Sequence, residues 1–307
     1  MTTEVRSFTT SDGTRLALHW DGPQDAPLTL VLLHGWTLDS RCWAAVADRV
    51  RAGSAGLRVL RFDHRGHGQS DPTEAQKANI AQLADDLAEL LRGDVTGPVV
   101  LAGHSMGGMT IMALAERHPQ LVAERVRGAV FVSTSSGDLI PFDLGVRPAL
   151  ARLLAKGEAL LLRFRPAVER FRRQRMTAKR AGLIRFGVRW LLFGKNPRRA
   201  DVVLATRMIA EGRPAAMVDF RPTFDDHDRT AALAEFAGVP TVVLGGDSDR
   251  LTPFRHAKVI ADELPHATLV RYPDVGHMVP LERAEDVAEQ ITELLGSVEA
   301  DQSRRAG

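Results

Sequence analysis

The sequence predicts an α/β fold: a mostly parallel sheet with helices on both faces, interrupted by an inserted helical segment. Three observations carry this. Up to about residue 135, short β-branched apolar runs alternate with stretches of helical periodicity. Between about 136 and 235 the alternation lapses into arginine-rich helical text, and after about 236 it returns.

The early runs Leu28–Leu33, Leu57–Phe62, Val99–Ala102 and Val126–Val132 are short and mainly apolar, as strands buried on both faces should be. Between them, Ile80, Leu83, Leu87, Leu90 and Leu91 recur at helical spacing, and a second helix runs from Met106 to His118, where Pro119 stops it. Strand, helix, strand in this order implies parallel pairing. In the interruption, Leu150, Leu153, Leu154, Leu160, Leu161 and Phe164 share one face while Arg152, Lys156 and Arg163 take another. Trp190, Leu191, Leu192 and Phe193 are expected to pack this segment or line a pocket roof. The strand pattern resumes with Val239–Gly245 and Thr268–Tyr272. A helix from about Leu281 to Leu295 closes the core with Ala284, Val287, Ala288, Ile291 and Leu295. The expected division is a core of residues 1–135 and 236–296, an inserted segment over 136–235, and a flexible tail over 297–307, which lacks apolar periodicity.

A chain of 307 residues with 44% hydrophobic content can fill a globular core, which excludes intrinsic disorder and a small stapled scaffold. Cys42 is the only cysteine, so no intrachain disulfide forms. No apolar run approaches the roughly 18–20 residues of a membrane span, and the N-terminus does not read as a secretion signal; a soluble cytoplasmic protein is the expectation. The formal net charge of +2 argues against nucleic acid as a partner. That average conceals an asymmetry: residues 141–200 hold 16 basic residues against Asp143, Glu158 and Glu169, a net of +13, and the rest of the chain carries −11.

Four motifs carry chemistry. Pro98–Gly108 reads PVVLAGHSMGG, a strand, then Gly103-His104-Ser105-Met106-Gly107, then a helix. A serine hydroxyl is a weak nucleophile until a base takes its proton, so it must project from a sharp turn within reach of an imidazole; Gly103 and Gly107 are read as permitting that turn. His34-Gly35-Trp36 follows the strand Leu28–Leu33. Acyl transfer passes through a tetrahedral oxyanion needing two preorganised donors, and the backbone N–H groups of Trp36 and Met106 are assigned that role. Gly246-Asp247-Ser248-Asp249-Arg250-Leu251-Thr252-Pro253 follows another strand. A general-base imidazole needs a carboxylate to fix its tautomer, and either Asp247 or Asp249 could serve; turns rich in Asp and Gly also arise for local reasons. Finally, Gly276 lets its loop bring His277 over the carboxyl edge of the sheet, where ligands bind in open α/β folds.

Ser105, Asp249 and His277, together with HGW and GHSMGG, resemble an α/β-hydrolase over roughly residues 10–135 and 235–295. The resemblance implies a sheet of about eight strands and makes residues 136–235 a helical cap over the pocket. Its G-x-x-D-x-x-T-P spacing selects Asp249 over Asp247, and His34, Gly35, Gly103 and Gly107 become supports of the site. Asp63–Ser70 (DHRGHGQS) is similar to the family's D-x-R-G-x-G-x-S loop, whose part there is mainly structural. His64 and His67 stand three apart without the carboxylate of an H-E-x-x-H arrangement, so no metal is expected. Family members that open epoxides or remove halogens attack with a carboxylate, whereas the elbow here holds Ser105. The only tyrosine, Tyr272, lies in a core strand and not in the cap.

The expected activity is therefore that of a carboxylesterase- or lipase-like serine hydrolase, which cleaves a carboxylic ester or thioester of a small or lipid-like substrate through an acyl-enzyme. It needs no metal and no organic cofactor. Cofactor-free peroxidases or perhydrolases, hydroxynitrile lyases and carbon–carbon bond hydrolases share the Ser/Asp/His set and stay open, as does a ligand-binding protein with little turnover. Arg-Phe-Arg (163–165) and Arg-Phe-Arg-Arg-Gln-Arg (170–175) admit two readings of the basic cap segment 147–199. It is a lid making weak contact with anionic lipid, or a solvated face whose arginines pair with acids near Asp85–Glu89 or Asp225–Asp228. The second is preferred. Oligomeric state is not legible.

Overall fold

The computed structural model describes residues 3–54, 56–139 and 178–306. The cap motifs at 163–165 and 170–175, and the apolar face from Leu150 to Phe164, lie outside the described residues. Eight strands form one sheet: β1 (Glu4–Thr9), β2 (Arg15–Asp21), β3 (Thr29–Leu33), β4 (Arg58–Phe62), β5 (Val99–His104), β6 (Val126–Val132), β7 (Thr241–Gly246) and β8 (Thr268–Tyr272), in the order β1-β2-β4-β3-β5-β6-β7-β8. Pairing is antiparallel at β1–β2 and β2–β4 and parallel from β4 onward.

The six parallel strands are those the apolar runs predict. β1 and β2 escape that reading for a physical reason. β1 is an edge strand carrying Glu4 and Arg6 and presents no apolar run. β2 mixes Arg15, His19 and Asp21 into its core residues, and the buried Asp21 is satisfied by Arg61 of β4 at 3.0 Å, Thr3 Oγ1 at 2.8 Å and Arg51 at 3.5 Å.

The helices are α1 (Ala44–Gly53), α2 (Ile80–Gly93), α3 (Met106–Arg117), α4 (Pro119–Arg125), α5 (Ala178–Leu192), α6 (Arg199–Glu211), α7 (Pro214–Phe220), α8 (Arg255–Glu263), α9 (Val279–Glu282) and α10 (Ala284–Ala306). Asn79 caps α2 by accepting from Gln82 N–H, and Pro119 both blocks extension of α3 and opens α4. One face of the sheet is covered by α2 and α3 through Leu83, Leu87, Ile111 and Leu114. The other is covered by α1 and α10 through Val46, Val50, Val287 and Ile291. Each such fully buried aliphatic side chain contributes on the order of 1.5–3 kcal/mol of transfer free energy.

One expectation is corrected at the C-terminus. Residues 297–307 are read from the sequence as a flexible tail, yet α10 continues through Ala306. Val298 is buried and extends the stripe of Ile291, Leu294 and Leu295 by one more turn, and no proline follows to stop the helix.

Most of the basic residues of the segment 147–199 lie outside the described residues, and the acids named as their partners have the following contacts among the described ones. Asp85 is held by Arg117 at 2.7 Å and His118 at 2.8 Å, Asp86 by Arg65 at 2.6 Å, and Glu89 by Ser11, all from the core itself. Asp225 pairs with Arg221 one helical turn away. The insertion does reach the core through Arg229 and Glu116 at 2.9 Å. Of the four residues expected inside, Leu192 and Phe193 are buried and Leu191 is half-buried, but Trp190 is exposed.

Candidate active site

The register places the four motif loops side by side. Leu33 of β3 pairs with Gly103 of β5, His104 with Val132 of β6, Val132 with Leu244 of β7, and Gly246 with Tyr272 of β8. The loops carrying Trp36, Ser105, Asp249 and His277 therefore leave the same carboxyl edge.

Ser105 occupies the turn between β5 and α3 with φ 52° and ψ −118°, a backbone conformation that a residue with a Cβ rarely adopts. The surroundings hold it there: its N–H donates to Val132 O at 2.9 Å, and its carbonyl accepts from Gly108 N–H at 2.9 Å and Thr134 Oγ1 at 2.7 Å. Gly103 and Gly107 contribute differently from the sequence reading. Neither has a positive φ. They are required by close approach: a Cβ on Gly103 would stand 2.5 Å from Gly107 C, and one on Gly107 would stand 2.3 Å from Leu33 O. The strain sits on the serine, and the glycines let helix and strand close around it.

His277 donates from Nδ1 to Asp249 Oδ2 at 2.8 Å, with both side chains buried. Asp249 is fully engaged, because Oδ1 accepts Leu251 N–H at 2.8 Å and Thr252 N–H at 2.9 Å while Oδ2 accepts Thr252 Oγ1 at 2.9 Å. Burial alone would raise its pKa, but the charge and hydrogen bond of His277 and the two backbone donors outweigh it, leaving the carboxyl below its ordinary value. Asp247 instead accepts Asp274 N–H at 2.7 Å and keeps the two loops together. The selection of Asp249 thus has a geometric counterpart.

With Nδ1 committed, Nε2 is the nitrogen His277 has left for chemistry. No hydrogen bond of 3.5 Å or less joins it to Ser105 Oγ among the described residues. The two elements are linked through His104: its Nε2 donates to His277 O at 2.8 Å, and the two rings lie 4.9 Å apart. Burial, reinforced by the neighbouring His277, holds His104 down at about 3, so it stays neutral.

Gly35 lies against this assembly; a Cβ there would stand 2.8 Å from His104 Nδ1 and 3.2 Å from Ser105 Cβ. Neither Trp36 N–H nor Met106 N–H has a hydrogen-bond partner among the described residues. Met106 is also the first residue of α3, where the helix dipole favours negative charge. His34 orients its loop by donating Nδ1–H to Gly35 O at 2.8 Å and accepting His64 N–H on Nε2 at 3.0 Å. In the neighbouring Asp63–Ser70 loop, Asp63 accepts Ser40 N–H and Gln69 N–H at 2.8 Å each, and Ser70 bonds Asp63 O and Ala17 N–H. Among the described residues no group of three or more His, Cys, Asp or Glu side chains is arranged to hold a metal ion. Thr134, Thr252 and His104 are the supports that sequence reasoning missed. Thr252 stood inside the G-x-x-D-x-x-T-P match, whereas nothing in the sequence pairs Thr134 with Ser105.

A strained serine at the carboxyl edge of a parallel sheet, faced by an aspartate-held histidine, defines the α/β-hydrolase class of architecture. The sequence profile of the alpha/beta hydrolase family matches residues 30–290, and the chain belongs to that family. Among proteins similar to it, a pimeloyl-[acyl-carrier protein] methyl ester esterase from Aromatoleum aromaticum is 31% identical over 87% of this chain and 97% of its own length. A monoacylglycerol lipase from Mycolicibacterium smegmatis is 27% identical over 91% of each chain. A bifunctional esterase/perhydrolase from Acinetobacter calcoaceticus is 27% identical over 94% of this chain and 99% of its own. In structure, a thermophilic esterase from Thermogutta terrifontis superposes with a TM-score of 0.72 at 25% identity, covering 97% of this chain and 99% of that one. No described helix is long and apolar enough to cross a membrane.

Proposed function

We propose that the protein is a serine hydrolase that cleaves a carboxylic ester or thioester of a small or lipid-like substrate through an acyl-enzyme. The observation that carries the reading is the buried 2.8 Å His277–Asp249 pair beside a serine held at φ 52°. Ser105 Oγ attacks the acyl carbon while His277 Nε2 takes its proton, and Asp249 fixes the tautomer and stabilises the cationic ring that forms. The backbone N–H groups of Trp36 and Met106 receive the oxyanion. His277 then protonates the leaving alkoxide or thiolate and activates water for deacylation. Residues 136–235 serve as the cap. The methyl ester esterase and monoacylglycerol lipase relatives support an ester substrate with a small alcohol or a lipid-like acyl part. A fluorophosphonate probe should label Ser105 stoichiometrically and abolish p-nitrophenyl ester hydrolysis in parallel; an unlabelled Ser105 would reject the mechanism. The perhydrolase relative supports a second fate for the same intermediate, in which hydrogen peroxide replaces water as the deacylating nucleophile.

The composition of α5 supports a weak contact of the basic cap segment 147–199 with anionic lipid. Phe186 is 75% exposed and Trp190 46%, on the same helix as Arg185 and Arg189. Arg185 and nearby Arg199 make no ion pair among the described residues. Exposed aromatics beside arginine are the composition of an interfacial helix. Phosphatidylglycerol vesicles at low salt are expected to co-sediment the protein, with release above about 0.5 M salt where screening is nearly complete. Equal partition with phosphatidylcholine vesicles, or none with either, refutes the contact.

A further inference from the structure

The loop that carries His277 is strapped to the base of the cap, at the point where α5 ends. Met278 N–H donates to Leu192 O at 3.1 Å and Lys195 N–H to Asp274 O at 3.0 Å. The two segments touch so closely that a Cβ on Gly276 would stand 2.5 Å from Phe193 C, and one on Gly194 would stand 1.8 Å from Asp274 O. Glu282 closes the strap. Its Oε2 accepts Gly194 N–H at 2.9 Å and its Oε1 accepts Gly276 N–H at 2.8 Å, one residue before His277. Arg250, the neighbour of Asp249, braces the same end of α5 by donating to Trp190 O at 2.7 Å.

We propose that Glu282 is a positioning residue for His277: by gripping Gly276 with one oxygen and Gly194 with the other, a single carboxylate sets the histidine loop and the cap base in one register. The proposal rests on reading His277 as the general base. A carboxylate suits the task because both oxygens accept, each forming a charge-assisted bond to a backbone donor. A glutamine keeps one acceptor and turns an NH2 group onto the other N–H, so one side of the strap must let go. Because the two grips share one side chain, loss of either loosens the register between the cap base and the histidine loop, which the Met278–Leu192 and Lys195–Asp274 backbone bonds alone then hold. Misplacement of a catalytic group by about an ångström costs on the order of 100-fold in rate.

The test uses the full chain with p-nitrophenyl acetate, and compares Glu282→Gln, Gly194→Ala and the double variant. In Glu282→Gln, kcat is expected to fall about 10- to 100-fold with KM changed less than about threefold, since proton transfer and not binding is impaired. Amide exchange should rise jointly over residues 192–195 and 274–278 and stay unchanged in β5 and β6. Gly194→Ala, which opens the strap from the other side, should reproduce the effect, and the double variant should be no slower than the worse single variant because both break one device. Unchanged kcat, exchange that rises in one segment alone, or rate losses that multiply would overturn the proposal. If Gly194→Ala does not fold, the kinetics and exchange of Glu282→Gln decide by themselves. An active Ser105→Ala variant would instead sink the serine-hydrolase reading; an inactive one beside a wild-type Glu282→Gln sinks this proposal alone.

Discussion

Ser105→Ala is expected to lower turnover of a p-nitrophenyl ester by about 10⁴- to 10⁶-fold, the range seen when the nucleophile of such a site is removed. The loss is specific because little else depends on the hydroxyl. What fixes the turn is the backbone: the N–H to Val132 O, and the carbonyl shared by Gly108 N–H and Thr134 Oγ1. Alanine keeps all of these and has the same Cβ to accommodate at φ 52°, so the strain is neither relieved nor increased. Ser105 Oγ makes no hydrogen bond among the described residues, so its removal leaves no buried partner unsatisfied. The thermal midpoint should therefore shift by no more than a few degrees, as about 1 kcal/mol or less would produce. Steady-state kinetics and a circular-dichroism melt check both halves of the expectation. A rate near that of the unsubstituted enzyme would remove Ser105 from the mechanism altogether.

Legibility divides along physical lines. Strands buried on both faces are dominated by apolar residues, so β3 to β7 stand out in one dimension even with Arg58, Arg61 and Arg127 among them; β1 and β2 hide because an edge strand needs no such run and Asp21 is paired with an arginine from elsewhere in the chain. The reacting groups are legible because their chemistry needs particular residue types at particular turns. Their supports are not. Thr134 bonds the carbonyl of Ser105 across 29 positions and His104 bonds that of His277 across 173, and no local pattern announces either contact. Gly103 and Gly107 show a subtler limit: the residue type is readable, but whether glycine serves a positive φ or a close approach is decided by what lies opposite, here the backbone of Gly107 for Gly103 and of Leu33 for Gly107. The same holds for the C-terminus, where one valine, Val298, turns an apparently featureless end into a further turn of α10.

Acidification below about pH 6.5 should destabilise the fold steeply, through histidines unrelated to turnover as well as through the site. His34, His64, His67, His104 and His227 are all buried, and burial lowers the pKa of each. Neighbouring histidines lower His64, His67 and His104 further. His67 and His104 are held at about 3 and His227 at about 4. In the unfolded chain a histidine titrates near 6.5. Between these values the unfolded state binds protons that the native state refuses, so stability is fully present above about pH 6.5 and is lost as pH falls towards the folded values. Each neutral histidine then costs about 1.4 kcal/mol per pH unit, which amounts to roughly 2 kcal/mol at pH 5 for each of the three with defined positions. Their combined loss, about 6 kcal/mol, rivals the 5–15 kcal/mol total stability of a typical domain. Asp86 and Glu282, whose carboxyls burial holds above the ordinary range, act in the opposite sense, but are outnumbered. Thermal midpoints should be nearly level between pH 8 and 7 and then drop, with cooperative unfolding at room temperature between about pH 5 and 4. His104→Gln keeps an N–H for the His277 carbonyl and removes one titrating ring, so its stability should fall less steeply with pH, by about one proton. A midpoint that stays level from pH 7.5 to 5 would show that these rings are solvated or paired in the folded state, contrary to their burial.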